Sequence, residues 1–204
     1  MSDKVKLSRA VELISKLSID KASQVFSKLI KSGARIELEK AYVADISEAT
    51  AKIAADNNEV VGVYVDIVGD IPLKFLFYVD VPGSLVLSDL IMRRAVGTTK
   101  QLDELAKSAV QEIGNILASA VSNVFAADFQ VSIKPTPPIV VHDYLGTVFE
   151  EYLMEVAVDK DEIMIIESTF FVVKDNIKSF MFILPVHGSE KILNYIVDPA
   201  GGGK

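Results

Sequence analysis

The sequence predicts an α+β domain of pseudo-two-fold character: two related halves sharing an antiparallel sheet, with long helices packed on it. Three observations predict it. The first is a repeated order of elements. Strand, turn, strand and then a Gly-Ser pair opening a helix occurs at Val60–Val79 with Gly83-Ser84, and again at Glu162–Leu184 with Gly188-Ser189. Each half also begins with a helix leading into a strand, at Ser8–Val43 and at Leu102–Ile133. The second is Leu102–Phe125, the longest cleanly periodic stretch of the chain, which reads as one amphipathic helix. The third is bulk: 204 residues, half of them apolar, are enough for one packed core. The expected organisation is a single domain over 1–204, with halves at about 1–96 and 97–198 and a flexible tail at 199–204.

Taken in order, Ser8–Ser18 reads as a helix with Val11, Ile14 and Leu17 inward. Ser18 or Asp20 could cap a further helical segment, whose apolar side is Ala22, Val25, Phe26, Leu29 and Ile30 and which Gly33 would close. The sequence leaves open whether these are two helices or one. Arg35–Val43 alternates as a strand, and Ile46–Asp56 reads as a short helix. Val60–Val68 and Pro72–Val79 are strands joined at Gly69-Asp70. Pro82-Gly83-Ser84 opens a helix running to about Ala95, with Ser84 as the expected cap. Ala126–Ile133 is expected to leave the long helix and enter a strand, and Pro135, Pro137 and Pro138 to interrupt regular structure. Tyr144–Leu153 is weakly helical. Glu162–Val173 and Ile177–Leu184 form a second hairpin around Lys174-Asp175-Asn176, and a last helix runs from Gly188 to near Val197.

Composition narrows the function. There is no Cys, which removes disulfides, thiolate zinc sites and cysteine nucleophiles. A net charge of −7 is the wrong sign for a nucleic-acid surface. Only His142 and His187 supply imidazoles, too few for a His-based metal site. The start, MSDKVKLSR, has no apolar h-region, and the apolar runs around Val60–Val68 and Ile71–Val79 are short and carry charges. A cytoplasmic protein with no membrane contact is expected. No G-x-S-x-G, P-loop or G-x-G-x-x-G is present. Asp66 and Asp70 read as a solvated hairpin, and Met92-Arg93-Arg94 with Lys100 as a small basic surface spot.

The long helix offers the chemistry. Ala106, Val110, Ile113, Leu117, Ala120, Val121 and Val124 share one side at helical spacing. Ser108, Glu112 and Asn115 line a narrow stripe opposite, with Glu104 upstream and Ser119 and Ser122 downstream. Such a stripe is ordinarily the wet side of an amphipathic helix. A carboxylate and a carboxamide one turn apart could also act on a substrate presented by another molecule. Gly114 sits mid-helix, where it costs about 1 kcal/mol relative to Ala, and predicts close approach of another backbone.

Ser108-x3-Glu112-x2-Asn115, a gap of 22 residues and then Pro138 closely resembles the signature of the CheC-type chemotaxis phosphatases (the CheC/CheX/FliY family). The resemblance runs from about Val60 to Ile196. It implies hydrolysis of the aspartyl phosphate of the response regulator CheY. The regulator would bring the phosphoryl group, a Mg2+ ion and a Lys, so the chain would need no cofactor of its own. Asn115 would hold the attacking water, and Glu112 would either dock on the regulator's Lys or act as a general base, docking being favoured because a loose phosphoryl transition state needs little early proton removal. Ser108 would extend the contact, and Pro138 would shape the neighbouring loop. The alternative is a non-catalytic module that binds the deamidase CheD or a flagellar switch component. Many family members carry the Glu-x-x-Asn pair in both halves. Here two ungapped alignments of the halves put Leu13 or Leu17 opposite Glu112, and Lys16 or Asp20 opposite Asn115, so one active face is expected.

Overall fold

The computed structural model describes residues 3–30, 35–54, 58–129, 131–154, 162–172 and 175–185. Hydrophobic alternation builds one seven-stranded sheet: β1 (Arg35–Asp45), β2 (Glu59–Gly69), β3 (Leu73–Asp80), β4 (Ile133–Pro135), β5 (Ile139–Tyr144), β6 (Glu162–Val172) and β7 (Asp175–Pro185). Every pairing is antiparallel, in the order β1-β6-β7-β3-β2-β4, with β5 also on β2. The order reads alike from either edge once β1 is equated with β4 and β5, β2 with β6, and β3 with β7. Both expected hairpins lie in this sheet, joined where β3 pairs β7 from Leu73↔Pro185 to Val79↔Ser179.

Among the described residues five helices accompany the sheet: α1 (Asp3–Ile30), α2 (Ile46–Ala54), α3 (Val81–Ile91), α4 (Glu104–Phe129) and α5 (Leu145–Met154). Strand alternation sorts them onto two faces. Val61, Val63, Val65 and Ile67 of β2 and Phe75, Phe77 and Val79 of β3 meet α1, α3 and α4 in the larger core. Val60, Leu76 and Tyr78 meet α5 and Ile53 of α2 in the smaller one.

Several boundaries differ from the sequence reading. α1 is one helix, and Leu17 and Val25 lie 39% exposed, not inward. Its buried side is Ser15, Ser18, Ile19, Ala22 and Phe26. α3 is capped by Asp80, whose Oδ1 accepts from Gly83 N at 2.8 Å, while Ser84 is buried inside the helix. α3 ends at Ile91 because Arg93 adopts φ 57°, a left-handed stop. α4 continues to Phe129, so the strand expected over 126–133 shrinks to Ile133–Pro135, and the 139–144 segment after the prolines is a strand. The helix expected at 188–197, the 199–204 tail, His187 and Lys174 lie outside the described residues.

Candidate functional site

α4 presents the stripe. Asp103 caps the helix, its Oδ1 accepting from Ala106 N at 2.8 Å. All seven expected core positions of α4, from Ala106 to Val124, are buried. On the other side Glu104, Ser108 and Glu112 are exposed and Asn115 is half-buried. Three residues apart on a helix, Glu112 and Asn115 have Cβ atoms about 5–6 Å apart, so one small group can touch both. Ser122 is not on this stripe: it is buried and donates to Ala118 O at 2.8 Å. Ser108 donates its hydroxyl proton to Glu104 O at 2.9 Å, which leaves its oxygen as an acceptor toward a partner. Glu104 holds Lys107 at 3.0 Å in an exposed pair worth little energy.

The buried side explains why the stripe is held still. A Cβ on Gly114 would stand 2.4 Å from Val63 Cγ1 and 2.8 Å from Val63 Cβ. The close neighbour is thus a β-branched side chain of β2 rather than a backbone, and Gly lets α4 settle onto the sheet directly behind Ile113 and Asn115. Ser88 of α3 donates to Ala106 O at 3.0 Å and ties the first turn. Ahead of the helix, buried Asp89 accepts from Thr98 N (2.9 Å), Thr99 N (3.0 Å) and Thr99 Oγ1 (2.5 Å), so the loop into α4 is clamped to α3.

Pro138 lies in the 136–138 loop, half-buried, and its carbonyl accepts from Gln111 Nε2 at 2.5 Å. Gln111 precedes Glu112, so the loop is fastened to the helix beside the stripe. Gln111 and Asp89 are the residues that sequence reasoning missed. Gln111 carries no local signal, because its partner is 27 residues away. Asp89 carries a weak one, an acid inside an otherwise apolar helix end.

The remaining candidates are scattered. Asp66 pairs with Lys74 at 2.7 Å, and Asp70 Oδ2 accepts from Ser132 N at 2.7 Å, fixing the entry to β4. Arg93, Arg94 and Lys100 are exposed. His142 lies on β5, 3.5 Å from Glu59. Among the described residues no cluster of three His, Cys, Asp or Glu could hold a metal, and no helix is long and apolar enough to cross a membrane.

The fold and site define an α+β sheet domain that displays an acid–amide pair on one outer helix. The family model described as CheC-like matches residues 105–142, from the start of α4 through the 136–138 loop into β5. The CheY-P phosphatase CheC of Bacillus subtilis (strain 168) is 30% identical over 89 residues, a match spanning 43% of this chain and 43% of that protein. FliY of Thermotoga maritima shares the fold at TM-score 0.76, with 16% identity, 93% of this chain and 95% of that chain covered. CheX in a complex with CheY, BeF3 and Mg2+ from Borrelia burgdorferi superposes at TM-score 0.55, with 16% identity and 83% and 96% coverage. FliM in a FliG–FliM complex from H. pylori does so at 0.65, with 12% identity and 95% and 100% coverage. The match to the CheC-like model falls on α4 and on the loop and strand that follow it, and the fold over most of the chain is the one seen in FliY, CheX and FliM.

Proposed function

We propose that the chain hydrolyses the aspartyl phosphate of a CheY-type response regulator, using the α4 stripe alone. The observation that carries this reading is the placement of Glu112 and Asn115: adjacent, outward, and on a helix pinned from behind at Gly114. The family match covers this same segment, and the similar Bacillus protein is named a CheY-P phosphatase.

The division of labour follows from what each side chain can do. The regulator brings the phosphoryl group, its Mg2+ and a Lys. Glu112, exposed and acceptor-only, pairs with that Lys and sets the docking register. Asn115, half-buried and therefore restrained, has an amide acceptor and two N–H donors with which to hold one water in line with phosphorus. Water oxygen bonds to phosphorus as the bond to the aspartyl oxygen breaks. The products are inorganic phosphate and the free carboxylate. Ser108 extends the contact one turn further, and Pro138 keeps the 136–138 loop beside it. The same reading treats residues of about 1–96 and 97–198 as two versions of one unit, of which only the second carries the pair.

The test is decay of radiolabelled phospho-CheY with wild type and Asn115→Ala. Loss of one well-placed orienting group should cost on the order of 10²-fold in rate. Affinity should change by less than about tenfold, because one amide contributes little net binding. Lys16→Ala and Asp20→Ala on α1 should leave the rate alone.

A second reading is favoured by the FliM neighbours, whose fold this chain shares: a binding module for a flagellar switch component, or for CheD. In that case wild-type protein does not accelerate phospho-CheY decay. Rate and binding lost together in Asn115→Ala would make the stripe an anchor instead of a catalyst.

A further inference from the structure

The polar side chains of α4 divide into two groups. Those of its first two turns are engaged within the chain: Glu104 with Lys107, the Ser108 hydroxyl with Glu104 O, and Gln111 Nε2 with Pro138 O. The side chains of Glu112, Asn115, Ser119 and Asn123 have no hydrogen-bond partner among the described residues. These four follow one another by three or four residues, so they continue one row along the outer face. Glu112 and Asn123 are exposed at its two ends, and Asn115 and Ser119 are half-buried between them. Ala118 and Ala120, on either side of Ser119, are buried. The row therefore dips at Asn115 and Ser119, and the chemistry proposed above leaves Ser119 unused.

Ser119 differs from the other serines of the helix. Ser108 and Ser122 each donate to the carbonyl four residues back, Glu104 O at 2.9 Å and Ala118 O at 2.8 Å. Ser119 does not donate to the equivalent carbonyl, that of Asn115, so its hydroxyl keeps both its proton and its lone pairs for another group. Its Cβ stands about 5–6 Å from that of Asn115. The Cα–Cβ bonds of a helix tilt toward its N-terminus, so the Ser119 side chain leans over the turn that carries Asn115. The Asn115 amide can turn either end to a water, and the two ends act in opposite ways. Oδ1 accepts a hydrogen bond from the water and leaves a water lone pair for phosphorus, whereas Nδ2 donates to the water oxygen and occupies that lone pair.

We propose that Ser119 is a positioning residue for the Asn115 amide, an assignment that rests on the phosphatase reading of the stripe. Ser119 Oγ accepts from Asn115 Nδ2, which spends one amide donor and leaves Oδ1 directed at the attacking water. The bond closes when the regulator covers the dip, since catalytic hydrogen bonds tighten in the loaded complex. Ser119 does not touch the reacting atoms; it acts through Asn115, and it fixes which end of the amide meets the water.

The test compares Ser119→Thr with Ser119→Val in the full chain, two variants of one shape that differ in the hydroxyl. Decay of radiolabelled phospho-CheY is followed over a range of protein concentrations, which separates the rate at saturation from the half-saturating concentration. Ser119→Thr should keep the saturated rate within about twofold of wild type, and Ser119→Val should lose about threefold to tenfold, the range that one neutral hydrogen bond supplies. The half-saturating concentration and the thermal midpoint should be alike in the two variants, which a merely structural role would not produce. In the complex with beryllofluoride-loaded regulator, one Asn115 Nδ2 proton should shift downfield in wild type and Ser119→Thr and not in Ser119→Val. Equal saturated rates for the two variants, in a protein that Asn115→Ala silences, would overturn the role of Ser119 and leave the phosphatase reading standing. A Ser119→Val change in half-saturation alone would make the residue a docking contact and likewise overturn it. Wild-type protein that does not accelerate the decay would end the phosphatase reading, and this inference with it.

Discussion

Gly114→Ala sets two effects of opposite sign against each other. In a helix interior Ala is favoured over Gly by about 1 kcal/mol, so an unconstrained site would gain stability. Here the new Cβ would stand 2.4 Å from Val63 Cγ1, whereas ordinary contact begins at 3.4 Å. The helix or Val63 must therefore give by about 1 Å. Val63 is fully buried in β2, and its β-branched side chain has few rotamers to escape into. Overpacking of this kind costs about 1–3 kcal/mol. The net expectation is destabilisation of about 1 kcal/mol, read by urea unfolding. Val63→Ala removes the two Cγ atoms and leaves only the Cβ contact, so the double variant should recover part of the loss, with a coupling energy of about 1 kcal/mol. If α4 is the part that yields, Glu112 and Asn115 move outward by the same ångström, and misplacement on that scale costs about 10²-fold in rate. A Gly114→Ala protein more stable than wild type, or a strictly additive cycle, would refute the claim that Val63 seats the helix.

Further outcomes follow from the other contacts. Glu112→Lys should weaken binding to the phosphorylated regulator, most at low salt where like-charge repulsion is unscreened, and an affinity independent of this change would count against the docking role. Asp89→Ala should cost about 2–3 kcal/mol in thermal unfolding through loss of charge-assisted bonds to Thr98 and Thr99, with Asp89→Asn falling between it and wild type. Gln111→Ala should cost about 1 kcal/mol and speed hydrogen exchange at the Thr136 and Ile139 amides, since the Pro138 carbonyl loses its donor; unchanged exchange would show that the loop is held without it.

The sequence was most legible where one face is buried against something extensive. α4 and both hairpins carry a clean period because a whole sheet or a whole core lies on one side of them. α1 was misread at Leu17 and Val25 because its buried face includes Ser15 and Ser18, small side chains that permit close packing but carry no hydrophobic signal. Ser18 also looked like a cap, and burial within a 28-residue helix overrode that local preference. β5 was hidden behind three prolines and covers only six residues, too few for alternation to show. Within the stripe, Ser108 and Glu112 face outward and Asn115 is half-buried, as the spacing required, but Ser122, at the same helical angle as exposed Glu104, is buried, its hydroxyl satisfied by Ala118 O, so helical spacing alone did not mark where the stripe ends. The loop anchor at Gln111 was invisible, because long-range polar pairs leave no mark in either segment alone.

The contrast between α1 and α4 gives the asymmetry a physical basis. Both helices pack against one another on the same side of the sheet. In α1 the positions opposite Glu112 in the two alignments are Leu13 and Leu17, which are 59% and 39% exposed. Those opposite Asn115 are Lys16 and Asp20, also exposed. This surface of α1 therefore faces outward as the α4 stripe does, and the two helices differ there in side-chain chemistry rather than in access. An exposed Leu cannot receive a regulator's Lys, and neither Lys nor Asp offers both the amide acceptor and the amide donors that orient a neutral water. Restoring the pair to α1 is accordingly a matter of two side chains, not of the backbone. The variants Leu13→Glu with Lys16→Asn, and Leu17→Glu with Asp20→Asn, each build one register. The one that matches the true equivalence should return phospho-CheY decay to a protein already silenced by Asn115→Ala. If neither does, in folded protein that still binds the regulator, the stripe needs the 136–138 loop beside it as well as the pair.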